Sequence, residues 1–493
     1  MYSISGEVDH IRFHAFATLT FLILTTVTQA AEPGKAEVIS AMKKSTDYMM
    51  DTVSNRGGFV SMYTEDLSRQ WGEVPARRSM IWVQDPGTVT VAKMLLEVHE
   101  ATGEEVFLNA ARQCADALIW GQLPCGGWNY FIDFEPEGTA KWYEEIGAHA
   151  WGWDEFYHFH GNATYDDLTT ATAADFLLDL YTLTMDPAYR DAVMKVIDGM
   201  LASQYPVGGW PQRYPVHALP DGAGHVEDYS AYLTFNDDVI LGNIKFMLKA
   251  HRLLGLRECR VSAERGMQFY LVSQLGTPQA GWAQQYTLDI QPGAAREYEP
   301  RCVAPSQTVQ NIYDLMRFYK VTGDRRYLRG IPDALDWLDR ERLPEGHATA
   351  GQTHAQFVDI GTGKPLYAHR EGPNRVEGRY WVDYTPGNFP DHYGMQITID
   401  VGEIRKEYER VFALSPETAM KEETWPVNPL PETTGAEVKK ILDAQDKKKG
   451  IWLENLSAAD HIDWKYRPRF EFRGISTRTW CNNMRALAGY VAQ

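Results

Sequence analysis

Four short stretches of this 493-residue chain hold side chains that could do chemistry. Asn236-Asp237-Asp238 sets an amide and two carboxylates directly before the apolar run Val239 to Leu241, and Tyr165-Asp166-Asp167 leads into an apolar segment in the same way. Asp and Asn at such a place start a helix, because their oxygens accept from the free backbone N–H groups there. Three such side chains in a row exceed what one cap needs, so at least one is left over. Clustered carboxylates on loops suit a hard cation such as calcium, which takes several oxygen ligands. The third stretch, Ala294 to Pro300, carries Arg296 with Glu297 and Glu299. The fourth holds Arg370-Glu371-Gly372 and then Gly378-Arg379-Tyr380-Trp381. Arginines there could hold substrate carboxylates through paired N–H bonds. Taken singly, each group also has a plainer role. The aspartates could be helix caps, Arg296 a surface ion pair and Arg370 a solvated loop residue.

The elements that must position these residues repeat along the chain. Ala101-Thr-Gly103, an apolar helix and Gly126-Gly-Trp128 form one unit, and Met185-Asp-Pro187, a helix and Gly208-Gly-Trp210 form a second. Leu254-Gly-Leu256, a helix and Ala280-Gly-Trp282 form a third, and Val321-Thr-Gly323 opens a fourth that runs through Trp337. Trp128, Trp210 and Trp282 are spaced by 82 and 72 residues, which fits two helices plus loops. Tyr189, Val193, Val196, Ile197 and Met200 fall on one helical stripe. Alternating strand patterns are few. Stacked helical hairpins can close on themselves, so the expected fold is all-α: an (α/α) toroid or incomplete barrel with long functional loops and few short strands. The Gly-Trp loops would emerge at one end, where a rigid scaffold carries its function. The two acidic helix starts, on neighbouring repeats, would face each other there. The three Gly-Trp tryptophans suit packing of the repeat as well as sugar stacking.

Composition narrows the partners. A net charge of −18 argues against nucleic acid, which needs a basic surface. A polyanionic substrate would need a local basic patch or a bridging cation. The 15 tryptophans and 26 tyrosines fill cores and also suit sugar clefts. Arg12 and His14, the apolar run Phe16 to Val27 and Thr28-Gln-Ala-Ala31 read as a cleavable export signal over 1–31, with a secreted or periplasmic chain of 32–493 as a single catalytic domain. Cys114, Cys125, Cys259, Cys302 and Cys481 show no metal-site spacing and are too few for a disulfide framework. After Arg342 the helical pattern fades until about Ile399, then returns at Gly435 to Asp443 and Ser476 to Val491, the last expected to close the ring.

Taken in order, the motifs resemble the polysaccharide lyase family 10 pectate lyases. They are Gly208-Gly-Trp-Pro-Gln-Arg-Tyr-Pro215, Thr234-Phe-Asn-Asp-Asp238, Trp282-Ala-Gln-Gln-Tyr286, Pro292 to Pro300, Lys364 to Gly372 and Gly378-Arg-Tyr-Trp381, within about 165–395. The resemblance implies a toroid that cleaves de-esterified polygalacturonate by calcium-assisted anti β-elimination. It implies Arg296 as catalytic base and Asp237 as calcium ligand, with Asp238 as the alternative. Asp166 would be a second acidic site residue. Arg370, Arg379, Asn236 and Trp210 would bind substrate. A guanidinium is normally always charged, so the base reading expects burial and neighbouring cations, namely Arg370, Arg379 and calcium, to perturb it. The chain departs from the family pattern in Asp167-Leu168-Thr169, in an insertion over Leu219 to Tyr232, in Glu371 and in Tyr286. A monomer acting on polygalacturonate or a related acidic polysaccharide, with no membrane span, is expected. Two other readings remain: a toroidal glycoside hydrolase using the pair Asp166 and Asp237, and a carbohydrate-binding protein without turnover.

Overall fold

The computed structural model describes residues 32–147, 161–217, 229–349, 351–372, 378–390, 393–422, 424–425, 428–459 and 469–493. The export-signal segment and most of the Leu219 to Tyr232 insertion lie outside the described residues.

Helical hairpins build the molecule, as the repeats predict. After α1 (Lys35–Tyr48) come the pairs α2 (Thr88–Thr102) with α3 (Glu105–Trp120), α4 (Thr169–Thr184) with α5 (Pro187–Ser203), and α6 (Val239–Leu254) with α7 (Arg257–Val272). Then follow α8 (Pro305–Thr322), α9 (Ile331–Arg340), α10 (Val401–Ala413), α11 (Gly435–Ala444) and α12 (Thr477–Ala492). Within each of the three pairs the helices pack together, and α2, α4 and α6 pack in succession. The last helix, α12, packs on both α1 and α2, so it joins the end of the repeat series to its start. This is the (α/α) toroid.

The first helix of each repeat stops the same way. Gly103, Gly255 and Gly323 take left-handed φ of 70°, 73° and 70°, and their N–H groups donate to His99, His251 and Tyr319 carbonyls. Met185 holds the equivalent place after α4 at φ 58°, a conformation that glycine adopts at lower cost.

The Gly-Trp loops pin each hairpin to its neighbour. Trp128, Trp210 and Trp282 are all 0% exposed. Their indole N–H groups donate to the carbonyls of Leu118, Met200 and Tyr270 at 2.7, 2.8 and 2.9 Å. A Cβ on Gly126 would sit 2.0 Å from the Lys195 carbonyl oxygen, and one on Gly208 2.1 Å from that of Arg265. The leading glycine therefore lets the loop touch the backbone of the next repeat's outer helix.

Short strands tie the loops together at the same end. Ala163–Thr164 pairs with Arg213–Tyr214, and Leu233–Thr234 pairs with Gln285–Tyr286, both antiparallel. A separate five-stranded antiparallel sheet runs Glu454–Ala459, Arg469–Ser476, Met62–Thr64, Gln70–Trp71, Pro75–Ala76. It brings the two ends of the described chain side by side, which nothing in the strand patterns foretold. All five cysteines are free thiols, so core packing and not cross-linking holds the ring.

Candidate active site

Helices α4 and α6 begin with the same unusual turn. Each is preceded by one turn of 3₁₀ helix, Asp166–Leu168 and Asn236–Asp238. In both, two successive residues are left-handed: Asp167 and Leu168 at φ 50° and 60°, Asp237 and Asp238 at φ 52° and 57°. Such backbone costs about 1–3 kcal/mol per residue and persists where surroundings enforce it. The two turns are related by 70 positions, and their anchors repeat as well. The Tyr165 N–H donates to the Gln212 carbonyl and the Phe235 N–H to the Gln284 carbonyl. The Gln212 amide donates to Asp166 Oδ1 at 3.0 Å, and the Gln284 amide to Asn236 Oδ1 at 3.1 Å. Asp167 and Asp237 are thus equivalent, and the double left-handed turn aims both into the space between the two helix starts.

Asp166, Asp167 and Asp237 each bring one carboxylate oxygen to within 4.8 Å of the others. Arg296 lies among them, 6% exposed. Its guanidinium donates to Asp166 Oδ2 at 3.0 Å, Asp237 Oδ2 at 2.9 Å and Glu299 Oε1 at 3.3 Å. Glu299, 1% exposed, also accepts from the Arg296 backbone N–H at 3.2 Å and from Asn236 at 3.2 Å. A tight loop, with the Glu299 N–H on the Arg296 carbonyl at 2.7 Å, fixes this pair. Its ion-pair partners on these two turns and its own loop are carboxylates.

The excess negative charge shows in the titration of the cluster. Burial first, then repulsion from Asp167 and Glu299, pushes Asp237 up to about 7, against the opposing pull of Arg296. Asp167 is exposed as a residue, but its carboxyl end faces the cluster. Desolvation there, then the charges of Asp166 and Glu73, push it up to about 7. Neither carboxylate is fully neutralised by Arg296, and the all-oxygen donor set fits a hard divalent cation.

Three residues outside the expected set complete the site. Asp167, read from sequence as a departure from the family pattern, takes the place in the cluster that Asp238 was expected to offer. Asp238 lies outside the three-carboxylate group. Its Oδ1 is 3.5 Å from the Gln310 amide, and Lys245 and Arg317 face it from the helix side. Gln84 is the second. The Trp82 indole N–H donates to its Oε1 at 2.9 Å, which turns its amide nitrogen to Asp167 Oδ2 at 2.5 Å and Glu73 at 3.1 Å. Tyr130 is the third, donating to Asp166 Oδ2 at 2.5 Å. The 70-residue offset carried the signal for Asp167. Gln84 and Tyr130 come from an earlier repeat and had none.

The remaining expected residues separate into those near the cluster and those away from it. Asn236 bridges Asp237, Glu299 and Gln284. Arg370 hydrogen-bonds Tyr380, whose ring lies 5.4 Å from that of Tyr298, two residues from Arg296. Arg379 is on the opposite face of the same hairpin, because Pro365–Glu371 pairs with Arg379–Asp383 in a register that sets Arg370 opposite Tyr380 and Glu371 opposite Arg379. There it pairs with Glu371 at 2.9 Å and lies over Trp381. The two arginines therefore do not share one surface. Trp210 is a correction: fully buried and bonded to Met200, it cannot touch a polymer. Trp210→Phe is expected to lower stability by about 1–3 kcal/mol through the lost buried partner. Polymer affinity should be unchanged, as thermal unfolding and affinity electrophoresis will show.

Residues 139–384 match the family model described as pectic acid lyase. No curated protein matches the chain. Among solved structures it is similar to a family 10 polysaccharide lyase from Cellvibrio cellulosa, at TM-score 0.44 and 19% identity, over 61% of this chain and 92% of that one. A mutant of that lyase in complex with trigalacturonic acid gives TM-score 0.43 and 20% identity, over 60% and 92%. A glycoside hydrolase family 76 mannosidase from Bacteroides thetaiotaomicron gives TM-score 0.40 and 11% identity, over 93% and 98%. The stretch matched by the pectic acid lyase model holds Arg296 and its three carboxylate partners, so the site lies within the part of the chain that resembles that family.

Proposed function

We propose that this protein cleaves polygalacturonate, or a related uronan, by β-elimination, with Arg296 as the base and a calcium ion held by Asp166, Asp167 and Asp237. The observation that supports it is the buried Arg296 set among those carboxylates within the family-matched stretch. In the reaction Arg296 first gives up a proton to solvent, and its neutral form takes the C5 proton as the C5–H bond breaks. The electron pair forms the C4–C5 double bond. The C4–O4 bond breaks, and O4 leaves with a proton from solvent. Calcium bound there would neutralise the uronate carboxylate and so draw off the charge that develops at C5. Asp166 and Asp237 are partners of Arg296 in this structure; with a cation held there, they would release its side chain toward the substrate. Glu299 keeps the Arg296 backbone in place through that exchange, since it accepts from the backbone N–H and not only from the side chain. Arg370 lies where it could hold a neighbouring carboxylate.

Hydrolysis would need Asp166 and Asp237 to act as a separate acid and base or nucleophile. It is the less supported reading, because one guanidinium bridges both residues.

Incubation with polygalacturonate, in calcium and then in EDTA, tests the reading. Ultraviolet absorbance of the C4–C5 double bond should rise with calcium and vanish on chelation. New reducing ends without that absorbance would replace elimination by hydrolysis. Gln84 supplies a finer check, because it steadies a ligand without touching the substrate. Gln84→Leu is expected to weaken calcium binding about 10–100-fold, as loss of a ligand's supporting partner does, with calorimetric titration as the readout.

A further inference from the structure

A second recess, of about 490 Å³, opens on the other side of Asp237. Its size lies within the about 300–1,000 Å³ usual for small-ligand sites. Its polar lining is mostly amide, from Asn236, Gln284, Gln307, Gln310 and Gln356, with the Tyr393 phenol and the carboxylates Asp237 and Asp238. Among the described residues that line it there is neither lysine nor arginine. Arg296 is held by Asp166, Asp237 and Glu299. Lys245 and Arg317 reach Asp238 from the helix side, over the ring of Trp425.

The hydrogen bonds of this wall fix what it can take. The Asn236 amide nitrogen donates to Asp237 Oδ2 at 2.9 Å and to Glu299 Oε1 at 3.2 Å. Carboxylates only accept, so Asn236 Oδ1 must point the other way, to Gln284. The Gln284 amide nitrogen donates to that Oδ1 and to the Tyr393 hydroxyl, both at 3.1 Å. Gln284 Oε1 is then left buried with no partner, on a residue 4% exposed. The amide and hydroxyl groups that line the recess can exchange hydrogen bonds with sugar hydroxyls. A carboxylate there would meet Asp237 and Asp238 with like charge.

We propose that this recess is a subsite for an uncharged, hydroxyl-bearing sugar ring. Resting on the elimination reading for the neighbouring ring, this makes the preferred polymer one in which the uronate at the carboxylate cluster sits close to a residue without a free carboxylate. Such a residue is either a neutral sugar or an esterified uronate; both present hydroxyl donors and no charge.

Affinity electrophoresis and turnover on three polymers test it. They are fully de-esterified polygalacturonate, the same polymer partly methyl-esterified, and a polymer alternating galacturonate with a neutral sugar. The gels are run cold in EDTA so that the polymer stays intact. Retardation is expected to be about ten-fold stronger, in apparent Kd, with one or both of the last two, and kcat/KM should follow. Which of the two wins identifies the source of the uncharged ring. Gln284→Met removes one of the lining amides, and should weaken the preference. Gln310→Lys, at the less buried rim, adds a cation and should shift the preference toward the de-esterified polymer. Equal retardation by all three polymers, none by any, or stronger retardation by the de-esterified one would overturn the subsite, as would an unchanged preference in Gln310→Lys. If no polymer yields an unsaturated product, the elimination reading falls, while the gels still read the subsite on their own.

Discussion

Arg296→Gln is expected to remove formation of unsaturated product, by about 10²–10⁴-fold, the usual worth of a positioned base. The same substitution should change the cation site in the opposite sense. Arg296 occupies an oxygen of Asp166 and one of Asp237, carboxylates on which the proposed calcium would also draw. With the guanidinium gone, nothing on Arg296 competes for them, and calcium affinity should rise. Glu299 and Asp166 are almost fully buried. Leaving them without their cation is destabilising by about 3–5 kcal/mol, so the melting temperature in EDTA should fall and calcium should restore most of it. Three readouts from one variant separate the roles. Elimination that survives in calcium would remove Arg296 as the base. Unchanged calcium affinity would show that arginine and cation do not share their ligands.

Asp237→Asn should have the second largest effect. It removes one of three converging carboxylates and the one that most directly faces both Arg296 and the amide-lined recess. Calcium affinity is expected to fall at least about 100-fold, the upper end of what losing a mere supporting partner costs, and elimination should fall with it. The pH dependence of the unsubstituted protein follows from the same crowding. Asp167 and Asp237 are both pushed from a usual 3.8 to about 7. Between those values the folded chain without metal holds protons that the unfolded chain releases. Unfolding free energy therefore falls as pH rises through that window, and the stabilising share of these two groups is gone above about 7. Calcium needs the same carboxylates ionised, so its affinity should climb with pH up to about 7 and then level off. Thermal unfolding from pH 4 to 8, with EDTA and with calcium, checks both signs; parallel curves would contradict the cluster as the cation site.

Much of the ring was legible because it is repetitive. The Gly-Trp loops and glycine stops mark each hairpin, and they recur at spacings that only paired helices fit. Arg296, Asp166 and Asp237 were legible as chemistry because they stand in motifs whose order could be compared with a family. What could not be read was orientation. Two successive carboxylates, Asp237 and Asp238, look alike in sequence; a left-handed turn sends one into the cluster and the other toward Gln310. The pleat of a five-residue pairing likewise decides that Arg370 and Arg379 part company. Gln84 reaches Asp167 across 83 positions, a contact that no local pattern announces. The strands Gln70–Trp71 and Pro75–Ala76 have only two residues each, too few to show alternation.

The sheet that joins the two ends of the described chain bears on the order in which the protein assembles. Met62 lies opposite Ser476, and the Thr477 N–H donates to the Ser61 carbonyl, contacts separated by more than four hundred positions. The Trp480 indole donates to Ser45 on α1 at 2.8 Å. Contacts of such separation form late, because loop closure precedes any reward for them. During synthesis the early hairpins can gather as they emerge, but α1 and the strand Met62–Thr64 wait for partners made some four hundred residues later. Until α12 leaves the ribosome, the first repeat stays an open seam with unsatisfied strand edges. A chain arrested or truncated before Thr477 would therefore present that seam to chaperones and proteases, even though every residue around Arg296 had already been made.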